Sequence, residues 1–92
     1  MSQKKFNAGA KNILDQLVHC LEKKDIPFKE AGWKNGKSDY VLTVKTPFGT
    51  RFARFNSVSL LEQEDLMTQE VNTYLINNLV KKLLVLKNQA QP

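Results

Sequence analysis

The clearest pattern in the sequence is a stripe of apolar residues near its start. Over residues 7–25 the apolar side chains recur at intervals of three and four, which places them on one side of an α-helix. Asn7 can cap the start of this helix. Because Pro27 disfavours helical backbone at the residue before it, we expect the helix to end near Lys24 or Asp25. The stripe consists of Ala10, Ile13, Leu14, Leu17, Val18 and Leu21.

Between residues 28 and 56 the pattern changes to alternation interrupted by turn signals. Asn35 and Gly36 form a dipeptide typical of a two-residue hairpin turn, because both residues accept positive φ angles. We therefore predict a first strand over residues 28–34 and a second strand after the turn. Gly32 favours a bulge in the first strand.

The second predicted strand is apolar on one face and mixed on the other. Tyr40, Leu42 and Val44 share the apolar face, as in a half-buried strand. Proline and glycine within residues 46–50 predict a loop of three to five residues that returns the chain antiparallel. The third strand is predicted over residues 51–56, with aromatic rings on both of its faces.

A second helix is predicted after the third strand. Ser59 and Glu62 have the spacing of a capping box, and the helical pattern continues to about Lys87. An apolar stripe in the first part of this helix is expected to pack on the sheet. That stripe consists of Met67, Val71, Tyr74 and Leu75.

The second helix carries another apolar stripe, which is rotated by roughly 120° or more from the first. Either the helix bends around Asn77 and Asn78, or this end packs on a second protomer. We expect it to form the interface of a homodimer. The predicted interface residues are Ile76, Leu79, Val80, Leu83 and Leu84.

The predicted elements form a two-layer α+β fold in the order α-β-β-β-α. Both helices cover one face of a three-stranded antiparallel meander, and the opposite face stays open. The length of 92 residues suits a single domain, residues 1–92, with an ordered core over about 7–87. The tails, 1–6 and 88–92, are expected to be frayed.

This order of elements resembles that of double-stranded-RNA-binding domains. The basic hairpin, Lys34-Asn35-Gly36-Lys37, is similar to the basic loop of that family. The family places a lysine cluster, Lys-Lys-x-Ala-Lys, at the start of its second helix to contact phosphates. Here residues 60–65 are acidic instead, so the resemblance in topology does not bring duplex RNA binding with it.

The charge is unevenly distributed along the chain. The net charge is +5, yet residues 1–56 alone carry +6, because eleven lysines and arginines oppose five acids. Residues 57–80 carry −4 and residues 81–92 carry +3. A basic first half is typical of proteins that meet polyanions, whereas acids and lysines at opposite ends of a helix also complement its dipole.

The sequence offers little for catalysis. His19 and Cys20 are neighbours on a helix, so their side chains diverge and cannot act as a nucleophile and base pair. One cysteine excludes an internal disulfide, and one histidine beside it excludes a zinc site built from these residue types alone. We interpret the acids, Glu62, Glu64, Asp65 and Glu70, as a solvated helix face rather than a magnesium site.

We therefore expect neither an enzyme nor a bound cofactor or metal, since no nucleotide-binding glycine motif is present. The longest uninterrupted apolar run, residues 83–86, is too short to cross a bilayer. We expect a soluble cytoplasmic protein without a membrane partner.

Two noncatalytic functions remain open. Aromatic rings interleaved with cations on the predicted sheet, Phe48, Phe52 and Phe55 among them, favour nucleic-acid binding through the sheet face and hairpin tips. The alternative is a protein-binding adaptor or inhibitor, of the type mobile elements encode, that acts through the C-terminal helix or an open sheet edge. The predicted nucleic-acid-binding residues are Trp33, Lys34, Lys37, Lys45, Arg51 and Arg54.

Overall fold

The computed structural model describes residues 2–35, 39–56, 60–61 and 64–90. It has an α+β fold that confirms the predicted order of a helix, a three-stranded antiparallel sheet and a long helix. Among the described residues, neither helix is both long and apolar enough to span a membrane. The elements are α1 (Ser2–Lys23), β1 (Glu30–Asn35), β2 (Tyr40–Thr46), β3 (Gly49–Phe55) and α2 (Leu66–Ala90).

The β1–β2 hairpin differs from the predicted two-residue turn. Asn35 is a strand residue paired with Tyr40 and is therefore not a turn residue, and residues 36–38 lie outside the described part. This register places Trp33 opposite Leu42 on the face that the helices cover. A turn at Asn35-Gly36 would instead shift β2 and remove that apolar pair. Gly32 pairs regularly with Thr43, without the predicted bulge.

The β2–β3 hairpin is shorter than predicted, because Thr46 pairs directly with Gly49. The Thr46 hydroxyl closes the two-residue loop: it donates to the Gly49 carbonyl at 2.7 Å and accepts from the Phe48 amide at 3.1 Å. Gly49 has a φ of 142°, which side chains rarely tolerate. The predicted turn position is therefore right, while its length is wrong.

Helix α1 confirms the predicted apolar stripe, since Ile13, Leu17 and Leu21 are completely buried. The helix begins at Ser2, so Asn7 lies inside it and the predicted cap at Asn7 is wrong. The polar residues before Asn7 include glutamine and two lysines, which are good helix formers, and none of them interrupts the helix.

The end of α1 is fixed by a left-handed residue, Asp25, with a φ of 54°. The Ile26 amide donates to the Leu21 carbonyl at 2.9 Å, and the Asp25 amide donates to the Glu22 carbonyl at 3.2 Å. This is a Schellman cap, with Ile26 and Leu21 forming its buried apolar contact. The Lys87 ammonium donates to the Asp25 carbonyl at 2.7 Å and so joins the ends of the two helices.

Helix α2 begins at an aspartate cap. The Asp65 carboxylate accepts from the Thr68 amide at 3.0 Å and from its hydroxyl at 3.1 Å. Asp65 is therefore the N-cap residue. The predicted capping box of Ser59 and Glu62 lies outside the described residues, although Leu60 and Leu61 are helical.

The two apolar stripes of α2 are placed opposite to the prediction. The stripe expected to contact a second protomer is part of the protein's own core, and three residues of the stripe expected on the sheet are exposed: Met67, Val71 and Tyr74. Leu75 alone of that set packs against the core. The reason is that Thr68 and Asn72 occupy the inward side of the first turns, so the apolar side there faces solvent. The inward residues predicted as interface are Ile76, Leu79, Val80 and Leu83, all buried, and Leu84, partly buried.

Close backbone contact fixes where α1 crosses the segment before α2. A Cβ built on Gly9 would overlap the Leu60 carbonyl oxygen and lie 2.9 Å from its carbon. The Leu60 side chain is buried in the core, so this backbone has little freedom to withdraw. Glycine is thus required at position 9, because the backbone of α1 passes so close to the backbone of Leu60 that a side chain would not fit.

We predict that Gly9→Ala lowers the free energy of unfolding by roughly 1–3 kcal/mol through this overlap. Helix propensity alone would have the opposite effect and stabilise the protein by about 1 kcal/mol. Urea denaturation followed by circular dichroism decides between them by the sign of the change. A variant more stable than the parent would contradict the close crossing.

Candidate nucleic-acid interface

The sheet has one face without a covering helix in the described part of the chain. Both helices pack on the side that holds Leu42, Val44 and Phe55. The strand register arranges the other side as three rows of three residues, which we call the open face. It consists of Lys34, Val41 and Arg54; Gly32, Thr43 and Phe52; and Glu30, Lys45 and Thr50.

The first row carries a cation at each end. Lys34 and Arg54 are both exposed, and partly buried Val41 lies between them. Because neighbouring strands are about 4.8 Å apart, the Cα atoms of the two cations are separated by roughly 10 Å. Their long side chains can therefore reach charges on both sides of a ligand that crosses the sheet.

The second row carries an aromatic ring at one end and a glycine at the other. The Phe52 side chain is 48% exposed, and the Arg54 guanidinium carbon lies 5.7 Å from the centre of its ring. Thr43 is at the centre of the row, and Gly32 at the far end has no side chain. A Cβ added to Gly32 would meet no atom within 4 Å. A planar group can thus approach the sheet beside the Phe52 ring.

The third row holds the single carboxylate of the open face. The Lys45 ammonium and the Glu30 carboxylate are 3.6 Å apart, and both side chains are substantially exposed. Exposed pairs of this kind contribute little to stability, so Lys45 can exchange its carboxylate partner for another anion at small cost. The face as a whole carries three cations and one acid.

Three of the six predicted binding residues share the open face, namely Lys34, Lys45 and Arg54. Lys37 lies outside the described residues. Arg51 is exposed but pairs with Val44, on the helix side of the sheet, and donates to the Thr50 carbonyl at 2.9 Å. The structure therefore places Arg51 and Arg54 on opposite faces of the sheet.

Trp33 is not part of the open face, because it lies on the helix side of the sheet and is partly buried against the core. Its indole N–H donates to the Ala10 carbonyl at 3.0 Å. Its ring meets Phe55 edge to face, with centroids 5.4 Å apart. Phe55 is itself buried, and Phe48 is partly buried in the β2–β3 loop. Trp33 is thus a structural anchor for α1.

The ring that does reach the open face is Phe52, which the sequence alone did not separate from the other aromatics. The signal was present in the strand parity, since Thr50, Phe52 and Arg54 alternate with the buried side of β3. Parity in β1 likewise separates Lys34 from Trp33. The residue types indicate what kind of ligand the sheet could bind, whereas the strand register decides which of these side chains lie on the same face.

The residues considered for catalysis do not converge. His19 is exposed on α1, and Cys20 is partly buried against the core. Glu64 and Glu70 are exposed, Asp65 caps α2, and Glu62 lies outside the described residues. Within the described ranges, no three His, Cys, Asp or Glu side chains are grouped closely enough to hold a metal ion.

Comparison with known proteins gives this chain no relative. No protein-family model, no curated protein and no solved structure matches it. The assignment of a function therefore depends on the side chains of the open face.

We predict that Trp33→Phe lowers the free energy of unfolding by roughly 1–2 kcal/mol, because it removes the indole hydrogen bond and part of the buried ring. Oligonucleotide affinity, measured by fluorescence anisotropy at a temperature where the variant is folded, should stay within about twofold. A large loss of affinity in the folded variant would contradict the structural role.

Proposed function

We propose that this protein is a noncatalytic module that binds single-stranded nucleic acid through its open face. The observation that carries the proposal is the exposed Phe52 ring, with Arg54 against it and Lys34 across the same sheet face. Single-strand binders combine aromatic rings that stack on bases with cations that follow the phosphates. The net charge of +5 adds long-range attraction for such a ligand.

In the proposed complex one base stacks on Phe52 and lies over Thr43 and Gly32. The phosphates on either side of that base contact Arg54 and Lys34. Lys45, released from Glu30, contacts a further phosphate. The ligand crosses the strands, since the cations are distributed over all three of them.

Two features favour a single strand over a duplex. A ring can stack only on a base that is not paired within a duplex, so the exposed Phe52 ring suits an unpaired strand. The start of α2, where duplex-RNA binders place lysines, carries Glu64 and Asp65, and Asp65 is engaged as the helix cap. Acids there repel the phosphates of a duplex laid across the loop and helix.

The first test reverses the charge of the open face. Lys34→Glu with Arg54→Glu should lower affinity for a labelled single strand of about 15 nucleotides at least tenfold near 50 mM salt. The plot of log affinity against log salt should lose about 1.4 from its slope, as expected for two lost phosphate contacts. Fluorescence anisotropy between about 50 and 200 mM salt measures both quantities.

The matched control is Lys23→Glu with Lys24→Glu, which changes the net charge equally at exposed positions by the end of α1. This control should retain most of the affinity at moderate salt. Equal losses in both variants would show attraction by net charge alone and contradict a defined site. A duplex of the same length should bind more weakly than the single strand.

The second test addresses stacking. Phe52→Ala should lower single-strand affinity roughly 5- to 150-fold, the range for loss of one stacked base. Phe52→Tyr keeps the ring and should bind like the parent, whereas Phe52→Leu keeps the apolar bulk and should bind like Phe52→Ala. Equal affinities for the tyrosine and leucine variants would exclude Phe52 as the stacking residue.

A further inference from the structure

The outward side of α2 carries a stripe of residues that are exposed, apart from one partly buried asparagine. Its residues are spaced four, three, four, three and four apart, so all lie within about 40° of one line along the helix. The core-facing residues Ile76 and Leu83 are on the opposite side. We call this the outer stripe: Met67, Val71, Tyr74, Asn78, Lys81 and Val85.

The apolar members of the outer stripe are unusually exposed for their size. Met67 is 74%, Val71 50%, Tyr74 67% and Val85 51% exposed, and neighbouring Leu66 extends the patch. Meanwhile Thr68 and Asn72, which are polar, occupy buried positions on the other side of the same turns. An aligned apolar patch of this kind is typical of an interaction surface.

We propose that the outer stripe binds a second copy of this chain, with the two α2 helices antiparallel. The spacing of the stripe reads the same in both directions and is centred on residue 76. Reversing one helix therefore superimposes the stripe on itself, as a two-fold symmetric interface requires. The facing pairs are Met67 with Val85 of the second copy, Val71 with Lys81, and Tyr74 with Asn78. These pairs correspond to the a and d layers of an antiparallel coiled coil.

The charges on α2 favour the second copy as the partner and fix its direction. The exposed acid beside the stripe, Glu70, is in the N-terminal half, while Lys81 and Lys82 are in the C-terminal half. In the antiparallel pair Glu70 lies beside Lys81 of the second copy at each end of the interface. A parallel pair would instead place Glu70 beside Glu70 and Lys81 beside Lys81. The charges of one α2 helix therefore match the opposite charges of a second α2 helix that runs in the opposite direction.

The contact is compatible with the open face but independent of it. The opposite side of α2 packs on the helix side of the sheet, so the two open faces of the dimer point outward. The stripe from Met67 to Val85 is about 27 Å long. A single helix pair of this length buries a small interface, so we expect association in the micromolar range, on the order of 10 µM.

Sedimentation equilibrium from about 1 to 200 µM tests the dimer. The parent should change from monomer to dimer over this range. Tyr74→Glu should raise the dissociation constant at least tenfold, because it buries a charge at the centre of the interface. Tyr74 is exposed, so the variant should keep the parent's circular dichroism and urea midpoint. A parent that stays monomeric throughout, which would leave the stripe to a different protein, overturns the proposal.

Charge exchange gives a second, milder test that leaves the apolar contacts intact. Glu70→Lys and Lys81→Glu should each raise the dissociation constant roughly three- to tenfold, because like charges then meet at both ends. The double variant should recover the parent's value. In a parallel dimer the single variants would not change the repulsion, so unchanged dissociation constants overturn the antiparallel arrangement.

Cross-linking reads the direction of the helices. In a Cys20→Ala background, an equal mixture of Met67→Cys and Val85→Cys variants should form a disulfide-linked heterodimer. Met67→Cys alone should not, because the two cysteines would be about 27 Å apart. Linkage of Met67→Cys to itself overturns the proposal. Single-strand affinity per subunit should be unchanged by Tyr74→Glu, so failure of the dimer and failure of nucleic-acid binding are distinguishable.

Discussion

In the part of the chain that the structure describes, the two long helices pack on the same face of the three-stranded sheet. The indole of Trp33 bonded to the Ala10 carbonyl, with its ring against Phe55, holds α1 on that side. Because side chains alternate along a strand, this choice directs every intervening residue to the other face. The exposure of Phe52 and the alignment of Lys34 with Arg54 are therefore consequences of how the core is built.

The fold could be predicted from the sequence where one signal dominates. The α1 stripe is apolar on one side only, and Tyr40, Leu42 and Val44 alternate clearly, so both were placed correctly. Helix α2 is apolar on two sides, and the periodicity of the sequence does not show which side packs in the core. The choice depends on tertiary contacts that bury Thr68 and Asn72, residues whose type predicts exposure.

The type of candidate site could be predicted from the sequence, but not which residues form it. Cations and rings between residues 28 and 56 indicated a binding face, and three of the six predicted residues lie on it. Trp33 differs from Lys34 by one position, which is enough to move it to the other side of the sheet. A hairpin register that is wrong by one residue would exchange the two faces, so membership depends on the loop lengths.

The hydrogen bond from Lys87 to the Asp25 carbonyl joins positions 62 residues apart. The core likewise combines residues from both ends of the chain, since Leu17 and Leu21 of α1 belong to the same buried cluster as Leu79 and Leu83 of α2. During translation α1 therefore emerges long before the helix that completes its environment. At a synthesis rate of about 5–20 residues per second, several seconds pass between the emergence of α1 and that of α2. The apolar side of α1 is without its core partners throughout that interval, and the core can close only after α2 has emerged.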